Sequence, residues 1–242
     1  MAQITYYIYA YNKVKKKTGS SNISFSIPTG NFGDAYAGSI AKEKFNIPIK
    51  KLIVATNKNN ILDRFFRTGT YKKDKVFSTI SPSMDIQIAS NFERLLYDMT
   101  NESGEKVSEF MNSFKQKWVI KVEKKYHQRT KESFASFSVN DVDTKKRIRK
   151  TYNKFNMIIA PHTAVGLEAS DKYLDEYPDD IVVTLATAHP SKFSKSVNSI
   201  LGFDPNLPFG YKDILNLKEN YQVINKSYNL VKNYLLKNAT NI

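Results

Sequence analysis

The sequence predicts an α/β fold, a mostly parallel sheet with flanking helices, and three observations carry that expectation. A strand-like pattern over residues 23–27 breaks at a glycine-bearing turn, 28–34, and resumes as a helical stretch over 35–45. A short apolar run at 51–56 follows, so strand, helix and strand succeed one another as in a βαβ unit. The same character returns late in the chain, with a helix expected over 164–174 and a buried strand over 181–186.

Taken in order, Ile4, Tyr7, Ile8 and Tyr11 recur at helical spacing and predict a first helix with one buried face. No capping residue precedes it, so its start is abrupt. The 23–27 strand alternates Ile23, Phe25 and Ile27 with Ser24 and Ser26. A helical pattern over 61–67 is closed by Gly69. Beyond Met84 the composition changes: Phe110, Phe114, Trp118 and Val122 fall four apart, and 115–154 is mostly polar. Residues 102–156 are therefore expected to be a small helical insertion between 1–101 and 157–242, which together form the α/β domain. The α/β pattern resumes at 157–160. Tyr221, Ile224, Tyr228, Val231 and Leu235 predict an amphipathic C-terminal helix.

Composition narrows the function classes. With 242 residues and 41% hydrophobic content the chain can bury a real core. It has no apolar run of membrane-spanning length and no signal-peptide pattern, so no membrane partner is expected. The absence of cysteine removes disulfides and thiolate chemistry, and fits an expected cytoplasmic location. Three histidines without cysteine argue against zinc, and no metal site is expected. The net charge of +14 comes mostly from scattered lysines. Nucleic-acid surfaces favour the arginine fork, so the charge reads as compositional background and a nucleic-acid partner is not expected.

Gly30, Asn31, Phe32, Gly33 and Asp34 stand between a strand and a helix. Glycines let the backbone turn tightly, and a helix N-terminus attracts phosphate. The pattern is neither the dinucleotide fingerprint nor a P-loop. By geometry alone, two glycines in a turn more often serve structure than a ligand.

The wider sequence is more specific. Ser26-Ile27-Pro28-Thr29-Gly30-Asn31-Phe32-Gly33-Asp34 with Ala37-Gly38 closely resembles the phosphate loop of the longer bacterial and fungal class of threonine synthase. The blocks starting at Ile53, Ile61, Ser81, Ser90, Pro161 and Leu185 resemble the family in its order, up to Phe193. The resemblance implies a partial fold type II pyridoxal-phosphate enzyme domain, the C-terminal half of the family fold. It implies pyridoxal 5'-phosphate as cofactor and O-phosphohomoserine as substrate, converted with water to threonine and phosphate. By position in the motifs, Gly30, Asn31, Phe32, Gly33 and Asp34 would bind the cofactor phosphate through main-chain N–H groups. Thr187 would face the pyridine nitrogen, the competing reading being a cap on the helix that follows. Ser81, Ser83 and Asn91 are weaker candidates for substrate contact or for shaping the site, and helix capping would explain them equally well. His162 and His189 fall in matched blocks without an assigned step, and His127 is expected to be exposed.

The resemblance also implies a Schiff-base lysine in a Phe-Lys-Asp segment before the phosphate loop, and this sequence has no Phe-Lys-Asp. No catalytic residue is therefore assigned. The expectation is a C-terminal portion, weak or empty of cofactor and inactive alone, whose partner is a separately supplied N-terminal half. The alternative is a non-catalytic remnant that binds anions through a basic surface.

Overall fold

The structure, a computed structural model, describes residues 2–211 and 213–239. Helix α1 (Ile4–Thr18) leads to β1 (Ile23–Pro28), α2 (Gly33–Glu43), β2 (Leu52–Thr56), α3 (Ile61–Thr68) and β3 (Thr70–Lys72). A 3-10 turn at Pro82–Met84 precedes α4 (Phe92–Met99), α5 (Gly104–Lys117) and β4 (Val119–Lys121). Then come α6 (Lys124–Ser133), β5 (Phe134–Ser138), α7 (Asp141–Phe155), α8 (Pro161–Glu176) and β6 (Ile181–Thr184). A 3-10 turn at Pro190–Phe193 and α9 (Ser194–Leu201) complete a first compact unit, residues 1–206. A second unit, 207–242, holds a 3-10 turn at Ile214–Asn216 and α10 (Tyr228–Asn238).

The central sheet has the order β5-β2-β1-β6, and every neighbouring pair is parallel. Strands β3 and β4 form a separate antiparallel ribbon. On one face of the sheet Ile23, Phe25, Ile27, Leu52 and Val54 pack with Tyr7 and Tyr11 of α1 and Ala35 and Ala41 of α2. On the other, Ile53 and Ala55 meet Val165, Ala169 and Tyr173 of α8. Full burial of each large side chain contributes roughly 1.5–3 kcal/mol, so these two layers dominate the stability of the unit.

All six residues of β1 are buried, although their sequence alternates apolar residues with serine. The alternation sorts large from small rather than dry from wet. Ser26 Oγ donates to the Gly166 carbonyl oxygen at 2.7 Å, and Ser24 Oγ to the Tyr173 hydroxyl at 3.4 Å. These bonds satisfy hydroxyls that burial would otherwise leave costly. A Cβ at Gly166 would lie 2.9 Å from Thr184 Cγ2 and 3.1 Å from Pro28 Cγ, so glycine is what lets α8 settle on the strands.

Several expectations need correction. Residues 102–156 are not purely helical: β4 and β5 lie among them, and β5 is an edge strand of the main sheet, paired with β2. The Phe110–Val122 spacing does not run on as one helix, because Trp118 adopts φ 55° and ends α5. Residues 157–160 form no strand. Strand β6 stops at Thr184 and is half-buried, because it lies at the sheet edge. Helix α10 begins at Tyr228 rather than near Tyr221, and none of its described side chains is buried.

Candidate functional site

The chain leaves β1 toward β2 and β5, then returns to place β6 on the other side of β1. This reversal is a topological switch point, where open α/β sheets bind ligands beyond the carboxyl ends of their strands. The 28–34 loop leaves β1 there, and residues 185–189 leave β6 beside it. A cavity of about 550 Å³ opens at this place, lined by Gly30, Asn31, Gly33, Asp34 and Thr187 together with Ser83, Asn91 and His162. That size lies within the range of cofactor sites, roughly 300–1,000 Å³.

The loop is held by specific bonds. Thr29 N donates to the Ala55 carbonyl at 2.8 Å, which extends the sheet register by one residue. Asn31 Oδ1 accepts from Gly33 N at 2.9 Å, an Asx turn that starts α2. Phe32 sits at φ 67° in the left-handed region, a conformation costing roughly 1–2 kcal/mol for a residue with a Cβ. Its ring offsets that cost: it is buried among Phe66, Phe92 and Phe134, at centroid distances of 6.0, 6.1 and 5.9 Å. The Phe32 side chain therefore anchors the loop and does not line the cavity. From α4, the backbone N–H and Nδ2 of Asn91 both donate to the Asn31 carbonyl, at 3.0 and 3.1 Å.

The consequence is electrostatic. Among the described residues, no acceptor takes a hydrogen bond from the main-chain N–H of Gly30, Asn31, Phe32, Asp34 or Ala35. Such a run of free donors at a helix N-terminus is electropositive and suited to a phosphate.

The other walls are equally defined. A Cβ on Gly30 would come within 2.8 Å of the Ser83 carbonyl oxygen, so the 81–84 segment packs directly on the loop. Ser83 N donates to His162 Nε2 at 3.2 Å. That bond makes Nε2 the acceptor and leaves the ring proton on Nδ1, which is buried without a partner among the described residues. Burial lowers the His162 pKa to about 4, so the ring is neutral near pH 7. Asp34 carries the opposite tendency: burial raises its carboxyl pKa, and the hydrogen bond from Tyr7 pulls it partly back.

The remaining candidates divide. Thr187 is exposed to the cavity, and the turn after it is capped by His189, whose Nδ1 accepts from Ser191 N at 3.3 Å. Among the described residues the Thr187 side chain caps nothing. His189 is exposed and does not line the cavity. Ser81 is buried behind the wall, its Oγ accepting from Asn57 Nδ2 at 3.0 Å. Asn91 lines the cavity and makes no side-chain cap on α4. His127, expected to be exposed, is half-buried with Nε2 2.8 Å from the Phe66 carbonyl oxygen.

Sequence reasoning missed Arg94, and Gln3 and Ile4 at the start of α1, all of which line the cavity. Arg94 stands inside a matched block, and a cation one turn from Asn91 was the available signal. For α1 there was none, since its approach depends on tertiary packing. No lysine lines the cavity among the described residues. The described residues also contain no cluster of metal-ligating side chains and no helix long and apolar enough to cross a membrane.

Comparison with known proteins agrees with this geometry. Residues 163–235 match the family described as "Threonine synthase, C-terminal". Threonine synthase of Saccharomyces cerevisiae is 37% identical over 96% of the chain, and that of Pseudomonas aeruginosa 38% over 93%. These alignments cover 50% and 47% of the two relatives, so the chain spans about half the length of the curated relatives it matches. The crystal structure of a pyridoxal-phosphate-bound threonine synthase from Brucella melitensis superposes with TM-score 0.86 at 34% identity, covering 97% of this chain and 50% of that one. The yeast threonine synthase structure gives 0.83 at 36%, covering 98% and 51%.

A parallel sheet with a glycine-bearing loop and a cavity at its switch point, matched so closely, defines an α/β domain of the fold type II pyridoxal-phosphate class. Within that class the chain belongs to the threonine synthase family and corresponds to its C-terminal part.

Proposed function

We propose that the chain is the cofactor-phosphate-binding portion of a threonine synthase, which converts O-phosphohomoserine and water to threonine and phosphate. The observation that supports this reading is the set of main-chain N–H groups at Gly30, Asn31, Phe32, Asp34 and Ala35 that have no hydrogen-bond partner among the described residues, at the loop that borders the switch-point cavity. The donor set fits a phosphorylated cofactor: main-chain N–H groups of Gly30, Asn31, Phe32 and Asp34 would hold the phosphate, while that of Gly33 is engaged by Asn31. When bound, the pyridoxal ring supplies an electron sink. Thr187, at the carboxyl end of β6, is the residue for the ring nitrogen, where a hydroxyl hydrogen-bonds without forcing protonation. His162 holds Ser83 in place and, being neutral, adds no charge to the wall.

With no lysine among the described lining residues, the chain by itself is expected to hold the cofactor weakly and to be inactive. Its partner is an N-terminal half bearing the anchoring lysine, and its compartment the cytoplasm. The test uses pyridoxamine 5'-phosphate, which cannot form imines with surface lysines. Saturable binding competed by inorganic phosphate is expected, followed by threonine formation from O-phosphohomoserine once a relative's N-terminal half is added. Salt-sensitive nucleic-acid binding with no response to the cofactor analogue would instead favour a non-catalytic, anion-binding remnant.

A further inference from the structure

Between β3 and α4, residues 73–91 hold no regular element except the 3-10 turn at Pro82–Met84. A segment of that kind keeps a fixed path only where side chains take up the bonds that a ladder would otherwise supply. Here the Asp85 carboxylate does so. Its Oδ1 accepts from Asn57 Nδ2 at 2.8 Å, Asn59 Nδ2 at 3.0 Å and Thr79 Oγ1 at 2.7 Å, and its Oδ2 from Thr79 N at 2.9 Å. Both asparagines are buried, and their amides are oriented by other bonds. Asn57 Oδ1 accepts from Asn59 N, and Asn59 Oδ1 from Phe77 N, each at 2.8 Å, so both Nδ2 groups face the carboxylate.

Asn57 and Asn59 follow the carboxyl end of β2, the strand next to β1 in the sheet. Asp85 therefore ties the 77–85 segment to the strand beside the phosphate loop. Two residues back, the Ser83 carbonyl oxygen would lie 2.8 Å from a Cβ on Gly30, with Met84 Cα at 3.4 Å. Asp85 itself does not line the cavity. Hydrogen bonds to a charged acceptor are roughly twice as strong as neutral ones, so this carboxylate fixes how closely the wall approaches the loop. A second buried carboxylate shows what a remote bond of the same kind looks like. The Tyr173 hydroxyl donates to Asp180 Oδ2 at 2.7 Å, but Asp180 precedes β6, at the opposite end of the sheet.

We propose that Asp85 is a positioning residue for the phosphate loop: it holds the Ser83–Met84 wall against Gly30 and so fixes the path of the loop's main-chain N–H groups. The proposal rests on the reading that this loop holds the cofactor phosphate. A carboxylate that merely stabilised the fold would change the unfolding midpoint and leave the affinity of the folded protein alone. One that sets the wall couples energetically to Gly30, the residue the wall touches.

The test titrates pyridoxamine 5'-phosphate into the full chain by calorimetry, well below each variant's unfolding midpoint. Asp85→Asn keeps the shape but turns N–H groups toward the donors of Asn57 and Thr79, and about tenfold weaker binding is expected. Tyr173→Phe removes the remote bond and should lower the unfolding midpoint while changing affinity less than about twofold. Gly30→Ala should cost about tenfold or more in the parent but less than about threefold in the D85N background, where the wall has already withdrawn. If D85N does not fold, Asp85→Glu, with its carboxylate one methylene further out, takes its place throughout. Parental affinity in D85N overturns the proposal. So does an equal Gly30→Ala factor in both backgrounds, or a Y173F loss as large as that of D85N. Absence of binding to the parent chain removes the cofactor reading, and the same cycle is then read in urea denaturation. Non-additive losses for G30A and D85N retain the link between wall and loop, and additive losses overturn it.

Discussion

The Tyr7 hydroxyl donates to the Asp34 carbonyl oxygen at 2.8 Å and reaches its carboxylate Oδ1 at 3.2 Å. Tyr7 is fully buried and packs against Phe25 with ring centroids 5.0 Å apart and the rings tilted by 54°, so one side chain of α1 links the sheet core to the first turn of α2. The first helix is thereby a structural part of the cradle rather than an appendage to it.

Tyr7→Phe removes this donor while keeping the ring. A buried carbonyl and a partly buried carboxylate lose their partner, and a loss of about 1–2 kcal/mol is expected in urea denaturation. Because the Tyr7 bond lowers the Asp34 pKa against the upward push of burial, the Asp34 carboxyl should titrate higher in the variant. Carbon-detected NMR of Asp34 checks the sign, and an unchanged or lower pKa would refute the coupling.

Gly30→Ala should affect both stability and binding. The new Cβ would sit 2.8 Å from the Ser83 carbonyl oxygen and 3.4 Å from Met84 Cα, which are backbone atoms that cannot swing aside. Overpacking of this kind costs about 1–3 kcal/mol. Since the loop must move to relieve it, affinity for pyridoxamine 5'-phosphate is expected to fall at least tenfold. Normal binding by the variant would show that the loop's path is not what holds the phosphate.

His162 predicts an acid-labile fold. Its folded pKa of about 4 lies below the ordinary 6.5, so the unfolded chain takes up a proton first as pH falls. The stabilising contribution is complete above about pH 6.5 and is lost as pH drops toward 4, amounting to roughly 3 kcal/mol. Asp34, Asp63 and Asp98, whose pKa values are raised by burial, act oppositely: their contribution is present at low pH and lost as pH rises. The difference between the parent and His162→Gln isolates the histidine. Denaturation midpoints at pH 7 and pH 4.5 should converge between the two proteins as pH falls, and parallel curves would contradict the assignment.

The parts of this arrangement that were legible in the sequence are local ones. The β1–loop–α2–β2 unit shows in composition, because a short apolar strand, a glycine turn and a small-residue helix each leave a local pattern. Thr187 and His162 were reachable only through the resemblance, since nothing near either residue sets it apart. Strand β5 was hidden because its sequence, Phe134-Ala135-Ser136-Phe137-Ser138, has neither a regular apolar–polar alternation nor a continuous apolar run, and its partner β2 lies far back in the chain. Arg94 was passed over for a related reason. Its place on the cavity wall is set by how α4 meets the loop, and sequence spacing does not report that.

Phe32 offers the sharpest separation of anchoring from binding. Its backbone belongs to the cradle and its ring to the core, where Phe66, Phe92 and Phe134 surround it. Phe32→Ala removes the ring but keeps a Cβ at φ 67°, so the strain remains while its compensation goes. A loss of about 3–5 kcal/mol is expected. Phe32→Gly relieves the backbone strain, and should recover about 1 kcal/mol of that loss in spite of glycine's greater unfolded-state freedom. If thermal unfolding instead ranks the glycine variant well below alanine, the left-handed conformation is not a strained one held by the ring. The order of the two variants in pyridoxamine 5'-phosphate affinity should follow their stability, because the main-chain N–H groups proposed to hold the phosphate are positioned only while this side chain is seated.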